Sequence, residues 1–307
     1  MRRIATPLCF AALLAVRAAA LVIHGGTGTE NFAAPTAGDG GDPGYANVGD
    51  RGVYLGNYGG NFWVLTATHV GAGNIKLGGT TYTMVGGSSV AVLNNDTSPT
   101  DLTLFRISTD PGLPTLNLLS GADPGVTAAV RLMGDGRNEG ASTFVNWGIA
   151  PGGGANDDVW TVGGGTDKSG YTTVGNTLGV RWGDNQVTGS TTFNIGTGNT
   201  LGFHMQFTSA AYNSMAQVGD SGGATFYYTG GTWYLAGILS AVGTFGSGQT
   251  PDNQPADTAV FGNFTIAASV ASYNSFITSA IPEPSAYAAL AGLLALGAIT
   301  LRRWRRA

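Results

Sequence analysis

Cysteine is almost absent from this chain. The only one, Cys9, lies in an apolar stretch near the N-terminus, so no internal disulfide can form. Histidine is scarce as well: there are three, none paired at helical or finger spacing, and with no cysteine to assist them a zinc site has no support. Charge is thin, at 10% of the residues. Between residues 21 and 280, 7 Lys/Arg stand against 17 Asp/Glu, a net of −10. Nucleic-acid binding needs a basic footprint, so that class is excluded. Helical periodicity is missing before Ile266. No glycine fingerprint passes from a strand into a helix, so the many glycines are not phosphate loops and no cofactor is expected. Among the carboxylates, only the Asp-rich loop at residues 38–50 offers calcium a place, and the spacing there is weak.

Long apolar runs occur only at the two ends. Arg2 and Arg3, an apolar core over residues 8–16 and the small residues Ala18-Ala19-Ala20 make residues 1–20 a secretory signal peptide. Cys9 would leave with it, so the exported protein must rely on its core. At the other end, Pro282-Glu283-Pro284 precedes an apolar run over residues 286–301 and the cluster Arg302-Arg303-Trp304-Arg305-Arg306. A plain membrane anchor is one reading of that order. The three elements together resemble the PEP-CTERM sorting tail of Gram-negative bacteria. That resemblance makes residues 281–307 a tail with a transmembrane helix, anchored transiently and processed by an exosortase-like enzyme. It places the protein outside the cell or on its surface.

The intervening 260 residues read as all-β. Short apolar runs at 52–55, 63–66, 81–85, 102–107, 159–162, 203–207, 225–228 and 233–239 are bounded by Gly, Asn, Asp and Thr. Many short strands with frequent turns mean a barrel or a sandwich. Residues 38–49 and 152–165 are too rich in Gly, Asp and Asn for a core and read as loops. A division near residues 123–146 splits the segment into two halves.

The chemistry gathers at Gly219-Asp220-Ser221-Gly222-Gly223. Glycines on both sides allow a tight turn, and they leave N–H groups uncovered to meet a developing oxyanion. Upstream, His69 follows the apolar run 63–67, and Asp101 precedes the alternating run 102–107. A serine hydroxyl is inert at neutral pH without a base, and His69 can supply one. Asp96 competes with Asp101 as the partner of His69. His24 and His204 read as structural. The bland reading of His69 is a strand cap, and that of Asp101 is a turn residue.

In their order His, Asp, Ser and in their flanking residues, these segments resemble the trypsin/chymotrypsin-like serine peptidases. The likeness extends through residues 235–240 and 270–277, and so covers about residues 51–280. Thr68, Val70 and Ala224 depart from the family's usual residues, and none of them removes a catalytic group. The resemblance implies a chymotrypsin-like double six-stranded β-barrel with a short C-terminal helix. It implies a secreted endopeptidase acting on protein or peptide substrates. His69 is then the base, Asp101 its orienting partner, Ser221 the nucleophile, and the N–H groups of Gly219 and Ser221 the oxyanion hole. Met215, Ser240 and Val242 are implied at the substrate pocket, with no carboxylate for Lys or Arg, so small or medium apolar side chains are expected there. Relatives often set a new α-amino group against the aspartate before the nucleophile, here Asp220. A cut after Ala20 would free Leu21 for that role, and a different internal partner is equally open. The rival reading is a catalytically idle, β-rich surface or extracellular-matrix binding protein on the same fold.

Overall fold

The computed structural model describes residues 21–174, 179–247 and 249–281. The proposed signal peptide and sorting tail lie outside the described residues.

The chain is all-β, with one C-terminal helix. After a two-residue strand β1 (Val22–Ile23), the first half holds β2 (Val53–Tyr58), β3 (Asn61–Thr66), β4 (Ile75–Leu77), β5 (Thr80–Tyr82), β6 (Val90–Leu93) and β7 (Pro99–Ile107). Four of these pair in the order β2-β3-β7-β6, and β4-β5 form a hairpin. A bridge between Met84 and Ile107 ties the segment after the hairpin to that sheet. Tyr54, Val64, Ile75, Leu77, Phe105 and Ile107 fill the interior.

The second half begins with β8 (Ala129–Gly134). Next come β9 (Asn138–Ala150), β10 (Val159–Val162), β11 (Lys168–Val174), β12 (Arg181–Phe193) and β13 (Thr200–Gln206). It continues with β14 (Ser214–Met215), β15 (Ala224–Thr229), β16 (Thr232–Gly243), β17 (Thr258–Val260) and β18 (Phe264–Ser269), and ends in the helix α1 (Val270–Ala280). Six strands close into a barrel, β12-β13-β18-β16-β15-β8. Its filling includes Leu132, Phe203, Met205, Leu239 and Ala267. Along β12 buried and exposed residues alternate over Gly183–Thr188, as a strand with one wet face requires. The connection between the halves is residues 108–128. Because β8 already belongs to the closed barrel, the division falls upstream of most of the window expected at 123–146.

Two features go beyond the expected pair of barrels. First, β10-β9-β11-β17 form a separate four-stranded sheet, contributed by insertions after β8 and after β16. Second, the largest apolar cluster spans both halves: Val53, Leu55 and Leu65 of the first pack with Met133, Phe226 and Ile238 of the second. Helix α1 joins the same cluster through Val270, Tyr273 and Ile277. Those residues fall on one face at helical spacing. Ser269 caps the helix by accepting from Ser272 N at 2.8 Å. The Tyr273 hydroxyl donates to Asn94 Oδ1 at 2.9 Å and accepts from Leu201 N at 2.8 Å, so the helix bonds to both halves.

Candidate active site

Strand β3 delivers His69. Past its end, Val70 N and Gly71 N both donate to Ala67 O, at 3.1 and 3.2 Å, and the resulting turn presents the ring. The side chain stays 29% exposed. Asp101 sits inside β7 and is wholly buried. His69 Nδ1 lies 3.0 Å from both Asp101 oxygens, and His69 N donates to Asp101 Oδ1 at 3.1 Å. Thr197 Oγ1 donates to the same oxygen at 3.3 Å. Asp101 N in turn donates to Thr200 Oγ1 at 2.7 Å, which ties the carboxylate-bearing strand to the second half. Asp96 is elsewhere: its carboxylate accepts from Ser98 N and Oγ, and those bonds hold its pKa below the ordinary value. The structure thus brings Asp101, and not Asp96, to His69.

Ser221 occupies the turn between β14 and β15. Gly219 has φ +101°, a conformation that side chains resist, and a Cβ there would lie 2.8 Å from Gly136 Cα. Gly222, at φ +88°, abuts the other half: a Cβ there would come within 2.6 Å of Arg51 O and 3.0 Å of Thr66 Oγ1. The serine turn is therefore pressed against the end of the strand that leads to His69. Gly222 N and Gly223 N are satisfied by Leu239 O and Asp220 O, at 2.8 and 2.9 Å. The N–H groups of Gly219 and Ser221 donate to no group among the described residues. Two free donors on a rigid turn are what an oxyanion site needs.

Beneath the turn, Asp220 is 1% exposed. Its carboxylate accepts from Gln217 N at 2.6 Å, Gly136 N at 2.8 Å and Leu21 N at 3.3 Å. Burial pushes its pKa up to about 7, with the Asp135 charge adding to the rise, against the lowering effect of the three N–H donors. Leu21 is wholly buried. Arg181 holds it in place by donating from Nη1 to Leu21 O at 2.7 Å, while pairing with Glu30.

A cavity of about 200 Å³ adjoins Ser221, walled by residues 216–221 and 239–242. Ser240 and Val242 line it, and Ser240 Oγ donates to Ile238 O at 3.2 Å. Met215 does not line it, contrary to the sequence expectation. Strand β14 pairs Met215 with Val22 of β1, and its side chain packs with Tyr171, Phe207 and Ala259 behind the pocket. The nearer wall is Ala216 and Gln217. Sequence reasoning missed Gln217, Thr197 and Thr200. A polar residue between Ala216 and Val218, just ahead of the glycine turn, was the available signal for Gln217.

The other two histidines lie apart. His24 Nδ1 meets the Tyr171 hydroxyl at 2.8 Å inside an aromatic group with Phe144 and Phe261. His204 Nδ1 meets Thr188 Oγ1 at 2.9 Å. In the loop at residues 38–50 the carboxylates serve turns: Asp42 accepts from Gly44 N and Tyr45 N, and Asp39 from Thr36. Asp157, Asp158 and Asp252 gather within 4.8 Å of one another in the loops before β10 and β17 of the accessory sheet. Asp252 accepts from Asn156 N and Asp158 N, and Asp158 accepts from Asp252 N and Gly152 N. These bonds clip two loops together.

Fold and site together define an all-β protein with a four-stranded sheet and hairpin in one half and a closed six-stranded barrel in the other; a buried Asp101 paired with a partly exposed His69 lies on the first, and a serine turn whose N–H groups have no partner among the described residues lies on the second. No known family profile matches the chain, and no curated protein does. Among solved structures it is similar to the NS6 protease of murine norovirus 1, at 16% identity and a TM-score of 0.36 over 77% of this chain and 93% of that one. It is similar also to the Rv3671c protease in an inactive form, at 14% identity and a TM-score of 0.38 over 77% of this chain and 89% of that one.

Proposed function

We propose that this chain is a secreted serine endopeptidase. The observation that carries the reading is the pairing of His69 Nδ1 with both oxygens of the buried Asp101 at 3.0 Å. A buried carboxylate aimed at Nδ1 fixes the tautomer and leaves Nε2 as the base. Ser221 Oγ attacks the scissile carbonyl carbon, and its proton passes to His69 Nε2. The carbonyl oxygen becomes an oxyanion, which accepts from Gly219 N and Ser221 N. As the tetrahedral species collapses, the C–N bond breaks and His69 returns the proton to the leaving amine. Water then repeats the sequence on the acyl-enzyme, giving a free acid and restoring Ser221. The substrate is a peptide or protein whose side chain on the acyl side enters the cavity beside Ser221.

The same reading takes residues 1–20 as an export signal. It takes residues 281–307 as a sorting tail, cut by an exosortase-like enzyme after delivery to the surface of a Gram-negative cell. The test of the activity is labelling with a fluorophosphonate, which reports an activated serine without knowledge of the substrate. Wild-type protein labels and Ser221→Ala does not. A folded wild-type protein that fails to label is the idle binding protein instead.

A further inference from the structure

The wall of the cavity beside Ser221 includes a residue whose side-chain donor has no partner among the described residues. Gln217 lines that cavity and is only 6% exposed. Its Nε2 is buried and has no hydrogen-bond partner among the described residues. The backbone of the same residue is fixed, because Gln217 N donates to Asp220 Oδ2 at 2.6 Å. Ala216, Leu239, Ala241 and Val242 contribute hydrocarbon, and Ser240 Oγ is engaged with Ile238 O. The Asp220 carboxylate is already occupied by three backbone N–H groups. Buried polar groups in folded proteins are almost always paired, so an unpaired one at a cleft calls for a ligand atom.

We propose that Gln217 is a specificity-determining residue of this pocket. The pocket then selects, on the acyl side of the cut, an uncharged side chain ending in a carbonyl oxygen, namely glutamine or asparagine. This rests on the peptidase reading and deepens it. A carboxamide oxygen entering the cavity accepts from Gln217 Nε2, while its methylenes lie against Leu239 and Val242. A purely apolar side chain of the same length fills the space and leaves the donor unpaired. Sites built around a hydrogen bond reject analogues that lack it far more strongly than an apolar pocket rejects a missing methylene. An ionised glutamate or aspartate is disfavoured, because a single neutral amide cannot offset the desolvation of a buried charge. The apolar preference expected from sequence is thereby narrowed to side chains with an apolar stem and an accepting tip.

The test is a set of peptides identical except at the residue before the cut, which is glutamine, norleucine, leucine, glutamate or lysine. The full-length protein, Gln217→Leu and Gln217→Glu are compared by kcat/KM. Fluorophosphonate labelling of each variant checks that Ser221 is still presented. The wild type should favour glutamine over norleucine by roughly ten- to a hundredfold. Gln217→Leu should lose or invert that ratio. Gln217→Glu replaces the donor by an acceptor and should favour lysine over glutamine. A glutamine-to-norleucine ratio near one in the wild type, or the same ratio in all three proteins, overturns the role of Gln217 and leaves the peptidase standing. Absence of both labelling and cleavage in the wild type overturns the peptidase reading, and this inference with it.

Discussion

A carboxylate inside a strand, with no exposure and an imidazole as its only ion-pair partner among the described residues, has been placed there for that imidazole. Asp101 is in this position. Asp101→Asn should keep the hydrogen bond but leave His69 in the wrong tautomer, lowering kcat by about ten-thousandfold. Asp96→Asn, at an exposed turn, should leave kcat within a factor of two, roughly the scatter of a surface change. Steady-state kinetics on one peptide decides between the two aspartates. Asp220 gives a second expectation, in stability. Burial has raised its pKa to about 7, whereas an unfolded aspartate titrates near ~4. Between those values the unfolded chain gives up its proton while the folded chain retains it, so stability falls as pH rises through that window and is lowest above it. A free α-ammonium on Leu21, whose nitrogen is 3.3 Å from Asp220 Oδ2, would supply the counter-charge and remove the loss. Protein starting at Leu21 should hold its melting temperature from pH 5 to 8. The same chain with Leu21 acetylated should not. The pairing of His69 with Asp101 and the tight turn at Gly219–Ser221 were legible because such arrangements travel with short local patterns. Met215 was misplaced because which side of a two-residue strand faces a pocket depends on a partner, Val22, far away in sequence.

At the scale of elements, the closed barrel was legible wherever apolar residues alternate or cluster, as in Trp233–Leu239 and Phe203–Phe207. Of the accessory sheet only β10, the run at 159–162, was legible. Its strands β9 and β11 are interrupted by Gly148 and Gly170, and Gly170 faces the backbone of Ala259 and Val260 so closely that no side chain fits. Glycine selected for close approach hides the period-two signal on which strand recognition depends. In a chain without disulfides this sheet braces the pocket from behind, through Tyr171 and Ala259 against Met215. Its loops are joined by Asp252, which accepts from Asn156 N and Asp158 N. Asp252→Ala should leave those donors unpaired, costing about 1–3 kcal/mol of local stability. Native-state hydrogen exchange should quicken in residues 151–158 and 249–257, while the strands of the closed barrel keep their protection.

At the scale of the whole molecule, the two halves share one apolar cluster, joining Leu65 to Phe226 and Ile277. They should therefore unfold together, in a single calorimetric transition whose calorimetric and van't Hoff enthalpies agree. Two resolved transitions would mean that the shared cluster contributes little. Maturation is read by intact mass: the natively released protein should end near Pro282–Pro284, and a retained Arg306 and Ala307 would leave only an ordinary membrane anchor. The contact between Leu21 and Asp220 has one more consequence, which concerns time. It joins residues 199 apart in sequence, and β1 pairs with β14 across a similar distance. The first described residue thus completes the support under a serine that emerges from the ribosome some two hundred residues later. Contacts of such long span form late, after the cost of closing the loop has been met. A nascent or stalled chain therefore has no assembled turn around Ser221 until nearly all of the described residues have been made.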